Sequence, residues 1–186
     1  MQCICAHTIN MKTLLKNGTV YDGTGAVAAQ VDVLIENDKI VSVAQNIDTV
    51  VDKEIDCSGL CVAPGFIDAH SHNDFFIESS ESQKYFEPFI RQGVTTQVTG
   101  NCGFSPFGVD NKSEHKSLVG GGLFKAENAG SFKDFVKGAV GKLHVNIAPL
   151  IGHGTARIGI AGKNSEALDS NQIDALVSCV NEAILF

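Results

Sequence analysis

Apolar and polar positions alternate in short segments along the first third of the chain and predict a small sheet. The Asn37-Asp38 pair between two of these segments is typical of a hairpin turn. No segment in this region has the period of an amphipathic helix, so residues 12–64 are predicted to form a small antiparallel sheet domain. The predicted strands are 13–21, 31–36, 39–44, 53–56 and 60–63.

From Pro64 onward the pattern changes to strands that alternate with helices. Ser131 and Asp134 have the spacing of a capping box at the start of one helix, and Ser170 is predicted to cap another. Three repeats of strand, loop and helix predict right-handed crossovers and a parallel sheet, which makes the fold class α/β. The predicted strands are 65–72, 94–99 and 144–151, and the predicted helices are 83–92, 131–140 and 170 to the end.

A long glycine-rich loop is predicted between the second of these strands and the helix that begins at Ser131. It runs from Phe104 to Gly130, and loops of this length in compact domains are usually functional or disordered. The glycine triplet 120–122 lacks the lysine and the serine or threonine of a phosphate-binding loop. We interpret it as a flexible lid.

Residues that suit a metal ion follow the predicted parallel strands. His70 and His72 lie two residues apart at the end of the first strand, so both rings would project from the face that also carries Asp68. Cys102 follows the second strand in a Gly-Asn-Cys-Gly turn, and His153 follows the third in Gly-His-Gly-Thr. The C-terminal ends of parallel strands form the active-site edge in barrels and in doubly wound sheets alike.

Each of these residues also has a purely structural interpretation. The two histidines could be hydrogen-bonded loop residues, Cys102 a small buried residue, and His153 a loop histidine that caps a turn. Asp68 could be a weak ligand, a carboxylate that orients the histidines, or a hydrogen-bonded strand-end residue. Zinc binds histidine nitrogen and cysteine sulfur together, so two histidines beside Cys102 favour a zinc site.

The composition narrows the classes of function. The net charge of −7 and the lack of a basic run argue against nucleic acid and anionic membranes as partners. No apolar run reaches the roughly 18 residues of a spanning helix, and residues 1–10 lack the features of a secretion signal, so we expect a cytoplasmic protein. Six cysteines without a framework spacing are expected to be reduced. Residues 1–11 are interpreted as an N-terminal extension.

Four segments of the chain resemble the amidohydrolase superfamily. Residues 64–72 resemble its first barrel strand, and residues 15–23 resemble the small β-sandwich that precedes the barrel. Residues 92–103 closely resemble the N-acyl-D-amino-acid deacylases, which use a cysteine where hydantoinases and dihydroorotases use a carboxylated lysine. Residues 151–157 resemble the third-strand segment of the same deacylase family.

The resemblance implies an α/β fold in which a small β-sandwich, residues 12–64, precedes a partial TIM barrel of metal-dependent-hydrolase type. The first three β/α units of that barrel would occupy residues 65–186. This part of the chain is about half of the roughly 250 residues that a complete barrel takes. The resemblance therefore implies the N-terminal part of a longer enzyme.

The implied activity is zinc-dependent hydrolysis of the N-acyl amide bond of N-acyl-D-amino acids by a metal-activated water. His70, His72 and Cys102 would bind one or two Zn²⁺ ions, and His153 would contact the substrate. The deacylases take further ligands from later barrel strands and a catalytic aspartate from after the eighth. Those positions have no counterpart here, so the chain alone is expected to be inactive.

Two other hypotheses stay open. One is a different amidohydrolase, a cyclic amidase similar to hydantoinase or dihydroorotase, in which Cys102 is only structural. The other is a non-catalytic remnant or interaction protein built on the same scaffold.

Overall fold

The computed structural model describes residues 11–120, 124 and 129–185, without the side chain of residue 185. The chain has a mixed α/β fold and divides between Pro64 and Gly65 into two compact units. The predicted N-terminal extension lies outside the described residues except for Met11. The backbone of Met11 is joined to Asn37, whose Oδ1 accepts from the Met11 N–H at 3.0 Å.

The first unit contains one five-stranded sheet. Its core includes Leu14 and Val33, and the buried Asp32 carboxylate accepts backbone N–H groups from Asn17 at 2.9 Å and Ile47 at 3.0 Å. Backbone donors thus compensate the burial of this charge. The strands are β1 (Lys12–Val20), β2 (Ala29–Glu36), β3 (Lys39–Ala44), β4 (Lys53–Asp56) and β5 (Cys61–Val62).

The sheet of the first unit is mixed, which corrects the prediction of an antiparallel sheet. Strands β1, β2 and β3 are antiparallel neighbours, whereas β4 and β5 both pair with β1 in parallel. The segment after β3 crosses to the far side of β1, so β4 does not form a hairpin with the strand that precedes it. Patterns of neighbouring residues indicate hairpins but carry no signal for such a crossover.

The second unit contains a parallel three-stranded sheet in the order β6-β7-β8, as the alternation of strands and helices predicted. Short 3₁₀ turns occupy Asn73–Phe76, Asn101–Gly103 and Lys116–Leu118. The elements are β6 (Phe66–Asp68), α1 (Ser82–Ile90), β7 (Val94–Thr99), α2 (Phe132–Ala139), β8 (Asn146–Pro149), α3 (His153–Ala161) and α4 (Ser170–Leu185). Among the described residues no helix combines the length and apolar composition that crossing a bilayer requires.

Strand β6 is shorter than predicted, because it ends at Asp68 rather than at His72. The Asp68 carboxylate accepts a hydrogen bond from the His70 N–H at 3.1 Å, and this local turn competes with further strand pairing. Phe66 and Ile67 are 63% and 67% exposed, so the strand is not buried within the described unit. The two histidines therefore lie in a loop that follows the strand.

Helix α3 is an addition to the predicted elements, because residues 152–155 were expected to form a turn followed by a loop. Its glycines lower the helix propensity and obscure the apolar period. Packing compensates for this, since Thr155, Ala156 and Gly159 are buried. A Cβ atom on Gly159 would lie 2.8 Å from Val109, so the helix is held close to the preceding loop.

The helix caps agree with the predictions in part. Ser131 caps α2, because its Oγ accepts from the Asp134 N–H at 3.2 Å. Helix α4 is capped by Asp169 instead of Ser170: the Asp169 carboxylate accepts from the Gln172 N–H at 2.9 Å, and the Gln172 amide oxygen accepts from the Asp169 N–H at 3.1 Å. This reciprocal pair is a capping box with Asp and Gln in the two roles.

The described part of the long loop is packed. Val109, Val119 and Ala129 are at most 5% exposed and form one hydrophobic cluster with Phe75. The fully buried Phe107 contacts the ring of Phe135 at a centroid distance of 4.8 Å. Of the glycine triplet interpreted as a lid, only Gly120 is among the described residues.

Candidate metal centre

Three of the predicted residues meet at one end of the parallel sheet. One ligand atom from each of His70, His72 and Cys102 lies within 4.8 Å of the others. The His70 Nε2 and Cys102 Sγ atoms are 3.2 Å apart. The two imidazole rings are in edge-to-face contact, with centroids 5.6 Å apart. In the described part of the chain these three residues form the group that could hold a metal ion.

Cys102 adopts an unusual backbone conformation. Its φ is +55° and its ψ is +17°, which is the left-handed region that costs a non-glycine residue roughly 1–2 kcal/mol. Such strain persists mainly at functional sites, where the surrounding structure imposes it. The Cys102 thiol is exposed and lies beside His70, so packing of the thiol in a hydrophobic core does not explain the strained backbone conformation.

The turn that carries Cys102 depends on Gly100. This glycine has a φ of +78°, and a Cβ atom on it would lie 1.8 Å from the Leu150 carbonyl oxygen. The end of β7 can therefore approach β8 only with glycine at this position. The close approach fixes where the chain leaves the sheet on its way to Cys102.

His72 is the most enclosed of the three residues. Its ring stacks on Phe124 at a centroid distance of 4.9 Å, and its Nδ1 atom is buried without a hydrogen-bond partner. Burial, and to a smaller degree the neighbouring His70 ring, lowers the pKa of His72. The lower pKa favours the neutral imidazole, which is the form that binds a metal.

These donors fit a zinc ion. Two imidazoles and a thiol are typical zinc ligands, and tetrahedral bonds of about 2.1 and 2.3 Å place nitrogen and sulfur about 3.6 Å apart. The observed separation of His70 Nε2 and Cys102 Sγ is 3.2 Å, which requires only a small adjustment.

The other candidates from the sequence have different surroundings. Asp68 lies outside the group of ligand atoms and caps the turn at His70. His153 is the first residue of α3 and is exposed, and it too lies outside the group. Its neighbour Gly154 abuts the Cys102 turn, since a Cβ atom on Gly103 would lie 3.3 Å from the Gly154 nitrogen.

Two further residues that contact the site were not predicted, and a buried carboxylate lies close to His72 in sequence. Asn101, next to Cys102 in the sequence, donates to the carbonyl groups of Ser71, which lies between the two histidines, and of Val98. The ring of Phe124 stacks on that of His72. Asp74 is 3% exposed, and neither carboxylate oxygen has a hydrogen bond of good geometry. Burial raises the pKa of Asp74 to about 7, although Thr99 and nearby backbone N–H groups act in the opposite direction. The closeness of Asn101 to Cys102 and of Asp74 to His72 in sequence was the available signal.

Comparison with known proteins gives a consistent set of matches. The sequence profile of the amidohydrolase family matches residues 53–175. A D-aminoacylase from Alcaligenes xylosoxydans xylosoxydans is 33% identical over 174 residues, which are 92% of this chain and 35% of that protein. The chain thus spans about a third of the length of the relatives that it matches.

Solved structures match over nearly the whole chain. A structure of D-aminoacylase described for its binuclear metal center has a TM-score of 0.80 and 30% sequence identity, covering 94% of this chain and 36% of its own. An N-acyl-D-glutamate deacylase from Bordetella bronchiseptica, complexed with zinc and a phosphonate inhibitor, has a TM-score of 0.75 and 25% identity. That match covers 95% of this chain and 36% of the deacylase chain.

Proposed function

The chain belongs to the amidohydrolase family, and we propose that it provides metal ligands to a zinc-dependent N-acyl-D-amino-acid deacylase. The reaction would be hydrolysis of the N-acyl amide bond, with a carboxylate and a free D-amino acid as products. Residues 65–186 would be the first three β/α units of a TIM barrel, and residues 12–64 would contribute to a β-sandwich. The parallel order β6-β7-β8 with intervening helices supports the barrel.

His70, His72 and Cys102 would hold one or two metal ions. The chemistry that zinc supplies when bound is Lewis-acid activation of water and of the amide carbonyl. Burial lowers the pKa of His72 and so favours the neutral form of its ring. Phe124 and Phe75 stack at a centroid distance of 4.7 Å and shield the His72 side of the site from water.

His153 would contact the substrate. It is exposed at the start of α3, and its neighbours Gly152 and Gly154 pack against the turn that carries Cys102. A hydrogen bond from this ring could orient an acyl or carboxylate group without competing for the metal. Arg157 is a weaker candidate, because its guanidinium donates to the Asn164 and Glu166 carbonyl groups.

The observation that carries the proposal is the exposed Cys102 thiol 3.2 Å from His70 Nε2. A structural cysteine would be expected in a core, with an ordinary backbone conformation. The left-handed φ of Cys102 and its contact with a histidine instead favour a ligand. This argues against the hypothesis of another amidohydrolase in which Cys102 only packs.

Metal binding tests the proposal directly. The chain is titrated with Co²⁺ in place of zinc, and absorption is followed in the near-ultraviolet, where a cobalt–thiolate bond absorbs, and in the visible. We expect a saturable 1:1 or 2:1 complex with a thiolate band. Cys102→Ser should abolish that band, whereas Cys61→Ser, which removes an exposed cysteine of the first unit, should leave it unchanged.

A thiolate band that survives Cys102→Ser would overturn the assignment of this ligand. Turnover is a second test, with N-acetyl-D-leucine and its L-enantiomer as substrates and the free amino acid as the readout. We expect the 186-residue chain to bind metal but to hydrolyse neither compound above background, because it spans only about a third of the length of the deacylases that it matches. Turnover by the chain alone would contradict that expectation.

A further inference from the structure

Asn101 connects the two loops that carry the ligands. Its Nδ2 atom donates to the Val98 carbonyl at 2.9 Å and, over a longer 3.4 Å, to the Ser71 carbonyl. Ser71 lies between the two histidines, and Asn101 directly precedes Cys102. A single side-chain amide thus contacts the peptide between His70 and His72 from a position next to the cysteine.

The surrounding contacts form a seam, by which we mean the hydrogen bonds between residues 71–73 and 97–101. The Val98 carbonyl also accepts the Ser71 N–H at 3.0 Å, so this one carbonyl accepts from both Ser71 and Asn101. Asn73 donates to the Gln97 side-chain oxygen at 3.2 Å. Within the seam, Asn101 is the side chain that reaches the histidine loop from beside Cys102.

The ligands need such a connection because the sheet does not hold them. Pairing of β6 with β7 ends at Asp68 and Gln97, so His70 and His72 lie beyond the strand. Cys102 lies in a three-residue 3₁₀ turn beyond the other strand. Two loops that leave different strands do not by themselves keep their ligands at a fixed separation, so a direct contact between the loops is needed.

We infer that Asn101 is a positioning residue, which holds the His70–His72 loop and the Cys102 turn at the separation that a metal ion requires. The inference rests on the proposed metal centre and extends it from the ligands to the residue that sets their spacing. The fold should survive loss of this amide. Asn101 is only half-buried, and the Ser71 N–H bond to Val98 remains in its absence.

The test compares Asn101→Leu, which keeps the branched shape and removes the donor, with a matched control. Asn146→Leu removes an amide that also donates to a β7 carbonyl, that of Thr95 at 3.2 Å, near the opposite end of the strand. Both variants and the unchanged chain are titrated with Co²⁺. Affinity is obtained from the visible bands and thiolate coordination from the near-ultraviolet band.

We expect Asn101→Leu to weaken Co²⁺ binding about 10–100-fold and to reduce the thiolate band per bound ion, as for residues that orient ligands. Asn146→Leu should bind within about twofold of the unchanged chain. Far-ultraviolet circular dichroism monitors folding, and Asn101→Ala, which adds no bulk, is the second variant if leucine disturbs it. Unchanged affinity and spectrum in both Asn101 variants would overturn the inference while leaving the metal centre intact. Lack of a thiolate band in the unchanged chain would overturn the metal centre itself.

Discussion

Replacing Gly100 with alanine should damage both the sheet and the metal centre. The φ of +78° at this position costs an alanine about 1–2 kcal/mol through backbone strain alone. Gly141 offers a matched control in the same unit. Its φ is +74°, and an added Cβ atom there would have no heavy atom within 4 Å. The Gly141→Ala variant should therefore show the backbone cost without a steric one.

The steric cost at Gly100 comes from the neighbouring strand. The added Cβ atom would lie 1.8 Å from the Leu150 carbonyl oxygen, whereas carbon and oxygen in contact are normally about 3.3 Å apart or more. The strand ends must separate by more than an ångström, which strains the 2.9 Å hydrogen bond from Leu150 N–H to Thr99. Overpacking of this kind adds about 1–3 kcal/mol, for a total of about 2–5 kcal/mol.

Urea unfolding in the presence of a chelator measures the free energy of unfolding of each variant without a contribution from bound metal. We expect a loss of about 1–2 kcal/mol for Gly141→Ala and clearly more for Gly100→Ala. Co²⁺ titration should show weaker binding in the Gly100 variant only, because the displaced turn carries Cys102. Equal losses of stability in the two variants, with equal Co²⁺ affinities, would refute the argument from the close approach to Leu150.

Three further predictions concern the fold. Phe86 is fully buried, so Phe86→Ala should lower the unfolding free energy in urea by about 3–5 kcal/mol; a loss below 1 kcal/mol would contradict its place in the core. The Asn111 amide lowers the pKa of Asp134 in the folded state. The ionised Asp134 carboxylate therefore stabilises the fold at pH values above its unfolded-state pKa, and this contribution is lost as the pH falls through its folded-state pKa. In Asp134→Asn, Tm should fall less steeply as the pH is lowered than in the unchanged chain. An equal dependence of Tm on pH in the two proteins would contradict this role of Asp134. Asp169→Ala should lower the free energy of unfolding, measured by thermal denaturation, by about 1 kcal/mol, and Ser170→Ala should lower it by less than about 0.5 kcal/mol. A larger loss in Ser170→Ala would indicate that Ser170 is the cap.

The elements with strong local signals could be predicted from the sequence. The bounds of β3, β4 and β7 match the predicted strands, and β3 and β7 are rich in the β-branched residues that favour strands. The Ser131 cap was also predictable, since a capping box involves residues only three positions apart. The parallel order of the second sheet followed from the alternation of strands and helices.

The elements that depend on distant contacts could not be predicted in this way. The buried residues of helix α3 are small: Thr155, Ala156 and Gly159. The close packing of Gly159 against the preceding loop explains why a helix forms there, and the local sequence gives no sign of that packing. The parallel pairing of β4 with β1 likewise joins residues about 40 positions apart. In both cases tertiary contacts decide a conformation for which the local pattern is weak.

The candidate site shows why residue types are easier to predict than the structure that holds them. The spacing of His70 and His72 suggested two rings on one face of a strand, but the strand ends at Asp68 and the pleat does not orient them. The rings still meet Cys102, because hydrogen bonds across the seam replace the ladder that the strand no longer provides. Changes on β6 before Asp68 should therefore affect the ligand geometry less than changes in the seam.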